Sequence, residues 1–235
     1  MIENISVIAF DADDTLWVNE PYFRETEEQF ASLLEDFLPR HSIVAELYKT
    51  EIANLPLYGY GIKGFMLSMI ETVLRITEGK VDADIINKVI NLGQEMLNKP
   101  IELLDGVEDV LKALHGKYRL VVATKGDLLD QERKLKKSGL DHYFHHIEIM
   151  SDKQEKDYQK LLKHLDCRPD EFLMLGNSLK SDVLPVLNIG AHAVHIPYHT
   201  TWIHEHIDHT IEHANFYEVK SLGEVLPQLI VWNEK

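Results

Sequence analysis

The stretch Ile5-Ser6-Val7-Ile8-Ala9-Phe10-Asp11-Ala12-Asp13-Asp14-Thr15-Leu16 decides how the rest of the chain is read. Its first half is a short apolar run rich in β-branched residues, and it empties abruptly into aspartates and a threonine. A continuous apolar run of this kind suits a strand buried on both faces, ending in a polar loop. Such a strand cannot bury itself, so residues 5–10 need a sheet supplied from further along the chain.

That sheet is not in the segment that follows. From about residue 20 to residue 99 helix-period patterns dominate, as in Phe30, Leu33, Leu34 and Phe37, and again in Met66, Met69, Ile70, Val73 and Leu74. Pro39, Pro56 and Pro100 with Gly59, Gly61 and Gly64 punctuate a block that reads as all-helical. From Asp105 the texture changes. Asp105 reads as a helix N-cap, followed by Val107, Val110, Leu111 and Leu114 at helical spacing. Strands are predicted at 119–124, 146–150, 172–175 and 191–196, with helices at 128–138 (closed by Gly139), 157–165 and 181–189. This alternation implies right-handed βαβ units and a parallel sheet covered on both faces. The first strand must join it, which makes the helical block an insertion in a discontinuous α/β core.

Bulk properties narrow the function. The 235 residues, 45% of them hydrophobic and 27% charged, suit either one large domain or a core carrying a smaller second one. With 24 basic against 39 acidic residues the net charge is −15, which argues against a nucleic-acid partner and against a membrane surface. No apolar run approaches the roughly 18 residues that span a bilayer, and no signal peptide is readable after Met1. Cys167, the single cysteine, cannot form an internal disulfide. A reduced cytoplasmic compartment is the default expectation.

In open parallel sheets ligands bind beyond the carboxyl ends of the strands. Those ends carry Asp11, Asp13 and Asp14; Thr124 and Lys125; Lys153 and Lys156; and Asn177, Ser178 and Asp182. Carboxylates with a lysine and a hydroxyl are what phosphoryl transfer with bound Mg²⁺ uses: oxygen ligands for the metal, a cation and a donor for the non-bridging phosphate oxygens.

Asp11-Ala12-Asp13-Asp14-Thr15-Leu16 resembles the D-x-D-x-T signature of the haloacid dehalogenase-like hydrolase superfamily. Thr124, a lysine near 156 and Gly176-Asn177-Ser178-Leu179-Lys180-Ser181-Asp182 follow in that family's order. The resemblance implies a doubly wound, Rossmann-like parallel-sheet core at 1–18 and 100–235, with an inserted all-helical cap at 19–99. It implies a Mg²⁺-dependent phosphohydrolase acting on a phosphorylated small molecule. Asp11 would be the nucleophile and a metal ligand, passing through an aspartyl-phosphate. Asp13 would be the general acid and base, with its backbone carbonyl on the metal. Thr124 and a lysine would hold the phosphoryl group, and Asn177 with Asp182 would complete the metal set. Of the two lysines, Lys156 is favoured over Lys153 because it stands just before the expected helix, although no proline follows it. Asn177 stands where the family most often has aspartate.

Related activities stay open. Dehalogenases of the family resemble this chain at the nucleophile but typically lack the second aspartate, so Asp13 argues against that chemistry. A phosphomutase shares every core residue named here, and a non-catalytic phospholigand-binding protein would be expected to have lost the nucleophile or lysine. His204, Glu205, His206, His209 and His213 invite a zinc reading, but with no second acid or cysteine group accompanying them they read as structural or solvent-exposed. Trp17 reads as packing, and Lys125 as either an anion contact or a loop charge. Tyr58-Gly59-Tyr60-Gly61-Ile62-Lys63-Gly64 contains a literal G-x-G-x-x-G, but no strand precedes it, so it is not read as a dinucleotide site. It opens a helix, and reads either as a glycine-rich turn joining two helices of the insertion, with its tyrosines packed on neighbours, or as a recognition loop in which Lys63 with Tyr58 or Tyr60 contacts the substrate's leaving group.

Overall fold

The protein is described by a computed structural model over residues 5–227 and 229. It begins with β1 (Val7–Phe10), followed by four helices: α1 (Glu20–Leu33), α2 (Arg40–Tyr58), α3 (Ile62–Ile76) and α4 (Ala83–Asn98). The alternating part then runs α5 (Val107–Leu114), β2 (Arg119–Lys125), α6 (Leu128–Ser138), β3 (His146–Met150), α7 (Glu155–His164), β4 (Phe172–Gly176), α8 (Leu184–Asn188), β5 (His192–His195) and β6 (Phe216–Glu218).

The strands form one sheet in the order β3-β2-β1-β4-β5-β6, and each adjacent pair is parallel. The opening strand lies at the centre, with Val7 in register with Arg119 on one side and Phe172 on the other. Alternation along each strand sorts its side chains to two faces. Ile8, Phe10, Leu120, Val122, Leu173 and Leu175 pack with Val107, Val110 and Leu111 of α5 and Leu135 of α6. Val7, Ala9, Val121, Ala123 and Met174 pack on the opposite face with Tyr158 and Leu161 of α7 and Val186 of α8. The fold is therefore a doubly wound, Rossmann-like α/β sheet, and its fully buried central strands explain their unbroken apolar runs.

Local details differ from the sequence expectation. The residue capping α5 is Gly106, at φ 77°, with Asp105 one position further out. The helix expected at 181–189 is a π-helical turn, Leu179–Val183, running into the short α8. Pro185 stands in the first turn of α8, where its missing N–H is tolerated but cannot extend an α-helical ladder backward. The short strand β6 carries no strong apolar pattern and was not anticipated.

The chain divides into two compact units. One gathers the described residues up to Glu20, Ile101–Lys125 and those from Gln131 onward; the other comprises Pro21–Pro100 with Gly126–Asp130. The second has its own core, built from Phe30, Leu34, Ile43, Leu47, Phe65 and Met69 among others. Phe37 and Leu74, read with those apolar faces, are exposed. Helix α2 continues through Pro56 to Tyr58, so the glycine-rich loop follows a helix, and the dinucleotide geometry is absent from it.

Candidate active site

The sheet places the carboxyl ends of β1, β2 and β4 side by side. The Asp11 N–H donates to Leu175 O at 2.9 Å, extending the β1–β4 ladder by one residue. The chain then turns tightly: Ala12 O accepts from the N–H groups of Thr15, Leu16 and Trp17. Asp14 sits at φ 60°, in the left-handed region that aspartate enters more readily than most residues. Its carboxylate accepts from the N–H groups of Asn19 at 2.8 Å and Glu20 at 2.9 Å, capping the start of α1. Burial pushes Asp14 up to about 8, with those two donors working against the shift.

Asp11 is buried beside a cation. Lys153 Nζ donates to Asp11 Oδ1 at 2.5 Å and to Asp182 Oδ1 at 2.6 Å, and all three residues are at most 6% exposed. Of the two lysines weighed from the sequence, Lys153 and not Lys156 is the one that reaches Asp11. Helix α7 begins at Glu155, two residues earlier than expected, with Gln154 and Asp157 forming a capping box. That puts Lys156 in an exposed first turn, while Lys153 lies in the preceding loop and turns inward. Burial alone would lower the Lys153 ammonium, but the facing carboxylates of Asp11 and Asp182 hold it above its ordinary value. Burial pushes Asp11 up to about 7; Lys153 opposes the shift and Asp182 adds to it.

Asp182 folds back onto the end of β4. Its Oδ2 accepts from Ser178 N at 3.0 Å, and a Cβ at Gly176 would collide with its carboxyl group. Only glycine fits that approach. Asn177 Oδ1 and Asp11 Oδ2 each lie 3.3 Å from the Thr15 hydroxyl, so the two oxygens converge on one small region. Thr124 is buried at the end of β2, in register with β3. The oxygen set formed by Asp11, Asn177 and Asp182, with the Asp13 carbonyl nearby in sequence, is of the hard, anionic type that suits Mg²⁺. Among the described residues no three His, Cys, Asp or Glu side chains cluster as metal ligands, so the histidines around 204–213 form no such centre, and residues 207–213 are not helical.

Asp13 is half-buried and held by three donors: Trp17 Nε1 at 2.7 Å, Gln131 Nε2 at 2.7 Å and Lys134 Nζ at 2.8 Å. Trp17 is therefore both a core residue, 1% exposed, and a partner of Asp13. Lys125 is held by Glu205 at 2.5 Å and by the Ser181 hydroxyl at 2.9 Å. Gln131 and Lys134 were not picked out from the sequence, and Glu205 only as a companion of histidines. The available signal is spacing: Gln131 stands four residues before Leu135 on α6, and both are buried.

The loop residues expected to meet substrate belong to the helical unit. Lys63 pairs with Asp127 at 2.9 Å, Tyr58 donates to Glu71 at 3.0 Å, and Tyr60 is half-buried.

Residues 5–190 match the haloacid dehalogenase-like hydrolase family. Over 212 residues the chain is 27% identical to the glyceraldehyde 3-phosphate phosphatase of Pyrococcus abyssi, covering 83% of this chain and 82% of that protein. With the glyceraldehyde 3-phosphate phosphatase of Methanothermobacter thermautotrophicus it shares 31% identity over 83 residues, 33% of this chain and only 36% of the relative's length. Among solved structures, a haloacid dehalogenase-like family hydrolase from Xanthomonas campestris superposes with a TM-score of 0.87 at 35% identity, covering 98% of this chain and 93% of that one.

Proposed function

The chain belongs to the haloacid dehalogenase-like hydrolase family, and from that premise we propose that it is a Mg²⁺-dependent phosphohydrolase that cleaves a phosphorylated small molecule through an aspartyl-phosphate on Asp11. The observation that carries this reading is Lys153, a buried ammonium 2.5 Å from Asp11 and 2.6 Å from Asp182 at the carboxyl end of a parallel sheet. The names of the relatives favour a phosphate ester as substrate.

In this reading Asp11 attacks phosphorus in line with the ester oxygen; the new bond to its carboxylate forms as the P–O bond to the leaving group breaks. Asp13 gives a proton to the departing oxygen and later takes one from the water that hydrolyses the aspartyl-phosphate. Trp17, Gln131 and Lys134 keep its carboxylate in place between the two events. Lys153, in place of Lys156, and Thr124 bear on the non-bridging oxygens, where charge accumulates. Asp11, the Asp13 carbonyl, Asn177 and Asp182 would hold the Mg²⁺, which when bound supplies further charge neutralisation at the phosphoryl group. Substrate discrimination is assigned to the helical insertion at 19–99 acting as a cap, with Lys63 and Tyr60 as its recognition residues.

The test is phosphate release from a panel of phosphorylated metabolites and an aryl phosphate, with Mg²⁺ and with EDTA. Hydrolysis should require the metal, and Asp11→Asn should lose at least about three powers of ten in turnover. Activity that persists in EDTA, or an active Asp11→Asn sample free of deamidation, would overturn the mechanism. An isomerised product without released phosphate would make the enzyme a mutase.

A further inference from the structure

Glu205 lies far along the chain from every residue assigned above, in a 3-10 turn at Ile203–Glu205 within the loop that leaves β5. Its carboxylate nevertheless reaches the neighbours of three of them. Oε1 accepts from Lys125 Nζ at 2.5 Å, next to Thr124. Oε2 accepts from Ser178 Oγ at 2.6 Å and Ser181 Oγ at 2.5 Å, next to Asn177 and Asp182. The grip is reinforced from outside, because Lys180 Nζ donates to His204 O at 2.7 Å. Inside the turn, Ser181 N donates to Ser178 Oγ at 3.0 Å, and Ser178 N donates to the Asp182 carboxylate at 3.0 Å. The chain of contacts therefore runs from Glu205 through two serines to Asp182, and through Lys153 to Asp11.

We infer that Glu205 is a positioning residue for the divalent cation: it does not touch the metal, but holds the 177–182 turn in the arrangement that presents Asn177 and Asp182 together. Four observations support this. The Glu205 side chain is only 10% exposed, so its contacts are not a screened surface pair. Both of its oxygens are engaged, one by a cation and one by two hydroxyls, which fixes its orientation. Burial opposes its charge, yet Lys125 and the two serines hold the carboxyl down to about 2, so it stays an acceptor throughout the neutral range. The held turn is also non-standard: it is π-helical, a rare geometry found frequently at functional sites. Asn177 sharpens the need, because a neutral amide attracts a cation less strongly than a carboxylate and depends more on being correctly placed. Partners behind a ligand set typically govern metal affinity by about 10–100-fold.

This inference rests on the metal-dependent reading of the site, so its test measures metal binding directly. Mn²⁺ serves as the probe, with binding to the full chain followed by calorimetry and by the loss of the free-ion electron paramagnetic resonance signal. Glu205→Ala should weaken Mn²⁺ binding by about 10–100-fold. Glu205→Gln, which keeps the shape and one acceptor, should weaken it several-fold and carries the test if the alanine variant does not fold. Circular dichroism melts made without metal accompany both. Variants that melt earlier but bind Mn²⁺ within twofold of the wild type would make Glu205 merely structural and overturn the inference. If the wild type hydrolyses phosphate esters only with metal while the Glu205 variants bind Mn²⁺ normally, this inference alone falls. If the variants lose Mn²⁺ affinity but the wild type cleaves no phosphate ester, the inference stands and the phosphohydrolase reading falls.

Discussion

Two lysine–carboxylate clusters sit at neighbouring strand ends of the same sheet, and they are built to opposite effect. In the inner one, Asp11 and Asp182 share the single ammonium of Lys153, and Asp11 is pushed up to about 7 by burial. In the outer one, the carboxylate of Glu205 accepts from Lys125 and two serine hydroxyls and is held down to about 2 despite its burial. Burial is common to both, so the surrounding charges and donors make the difference. Asp182 and Asp13 add to the shift of Asp11 against one lysine, whereas Lys125 and two serines outweigh burial at Glu205. An under-satisfied carboxylate is poised to take up a further cation or an electrophile, whereas a saturated one holds its neighbours still.

The sharpest way to break the comparison is to remove each candidate lysine. Lys153→Met should lower turnover by about two to three powers of ten, because a charge that stabilises the transition state is lost from a buried site. Lys156→Met should stay within twofold, since that side chain is exposed in the first turn of α7. Steady-state kinetics on folded, metal-loaded samples checks both. A large loss at position 156 with a small one at 153 would return the phosphate lysine to the position favoured from sequence.

What was legible in the chain, and what was not, follows the same division. The central strand and its aspartates could be read because an apolar run ending in Asp11-Ala12-Asp13-Asp14-Thr15 is local information. The alternation after residue 105 was equally local, and the sheet has the strands it required. Between Lys153 and Lys156 the sequence reading and the structure part at a helix start. The first turn starts at Glu155, with the Gln154 N–H donating to Asp157 at 3.1 Å, but Gln154 is not among the preferred N-cap residues, so this start is hard to read from the sequence. Glu205 was quoted only as a companion of histidines. Its partner Lys125 is 80 positions away, and no periodicity reports a pairing of that kind. Lys134 and Gln131 reach Asp13 across more than a hundred residues, so they too become visible only once the fold brings them together.

A second test acts on the outer cluster through acid. Glu205 has an ordinary value of 4.5 and a native one of about 2, so the folded state binds this proton less readily than the unfolded chain. Its stabilising contribution is full above pH 4.5 and is lost as the pH falls through the window down to about 2. A depression of this size corresponds to a contribution on the order of 3 kcal/mol. Urea melts of the wild type and Glu205→Gln should therefore differ most at pH 6, and the gap should close toward pH 2–3. A gap that stays constant across that range would mean the carboxylate's charge is not what stabilises the cluster.

The smallest effect is expected where the same chemistry meets water. Lys63 and Asp127 are 2.9 Å apart, as close as many buried pairs, but their side chains are 48% and 26% exposed. Solvent screens such a pair, and ordering the long lysine side chain costs entropy, so exposed pairs typically contribute only about 0.2–1 kcal/mol. Lys63→Ala should accordingly change the urea-derived stability by less than about 1 kcal/mol, and the change should shrink further in molar salt. The Glu205 contribution at neutral pH, coming from a shielded pair, should respond much less to salt. If Lys63 recognises the substrate, as proposed, its loss will show in the ratio of kcat/KM between phosphorylated metabolites rather than in stability. A salt-insensitive loss at Lys63 as large as that at Glu205 would contradict the argument, because exposure would then not separate a clamp from a surface contact.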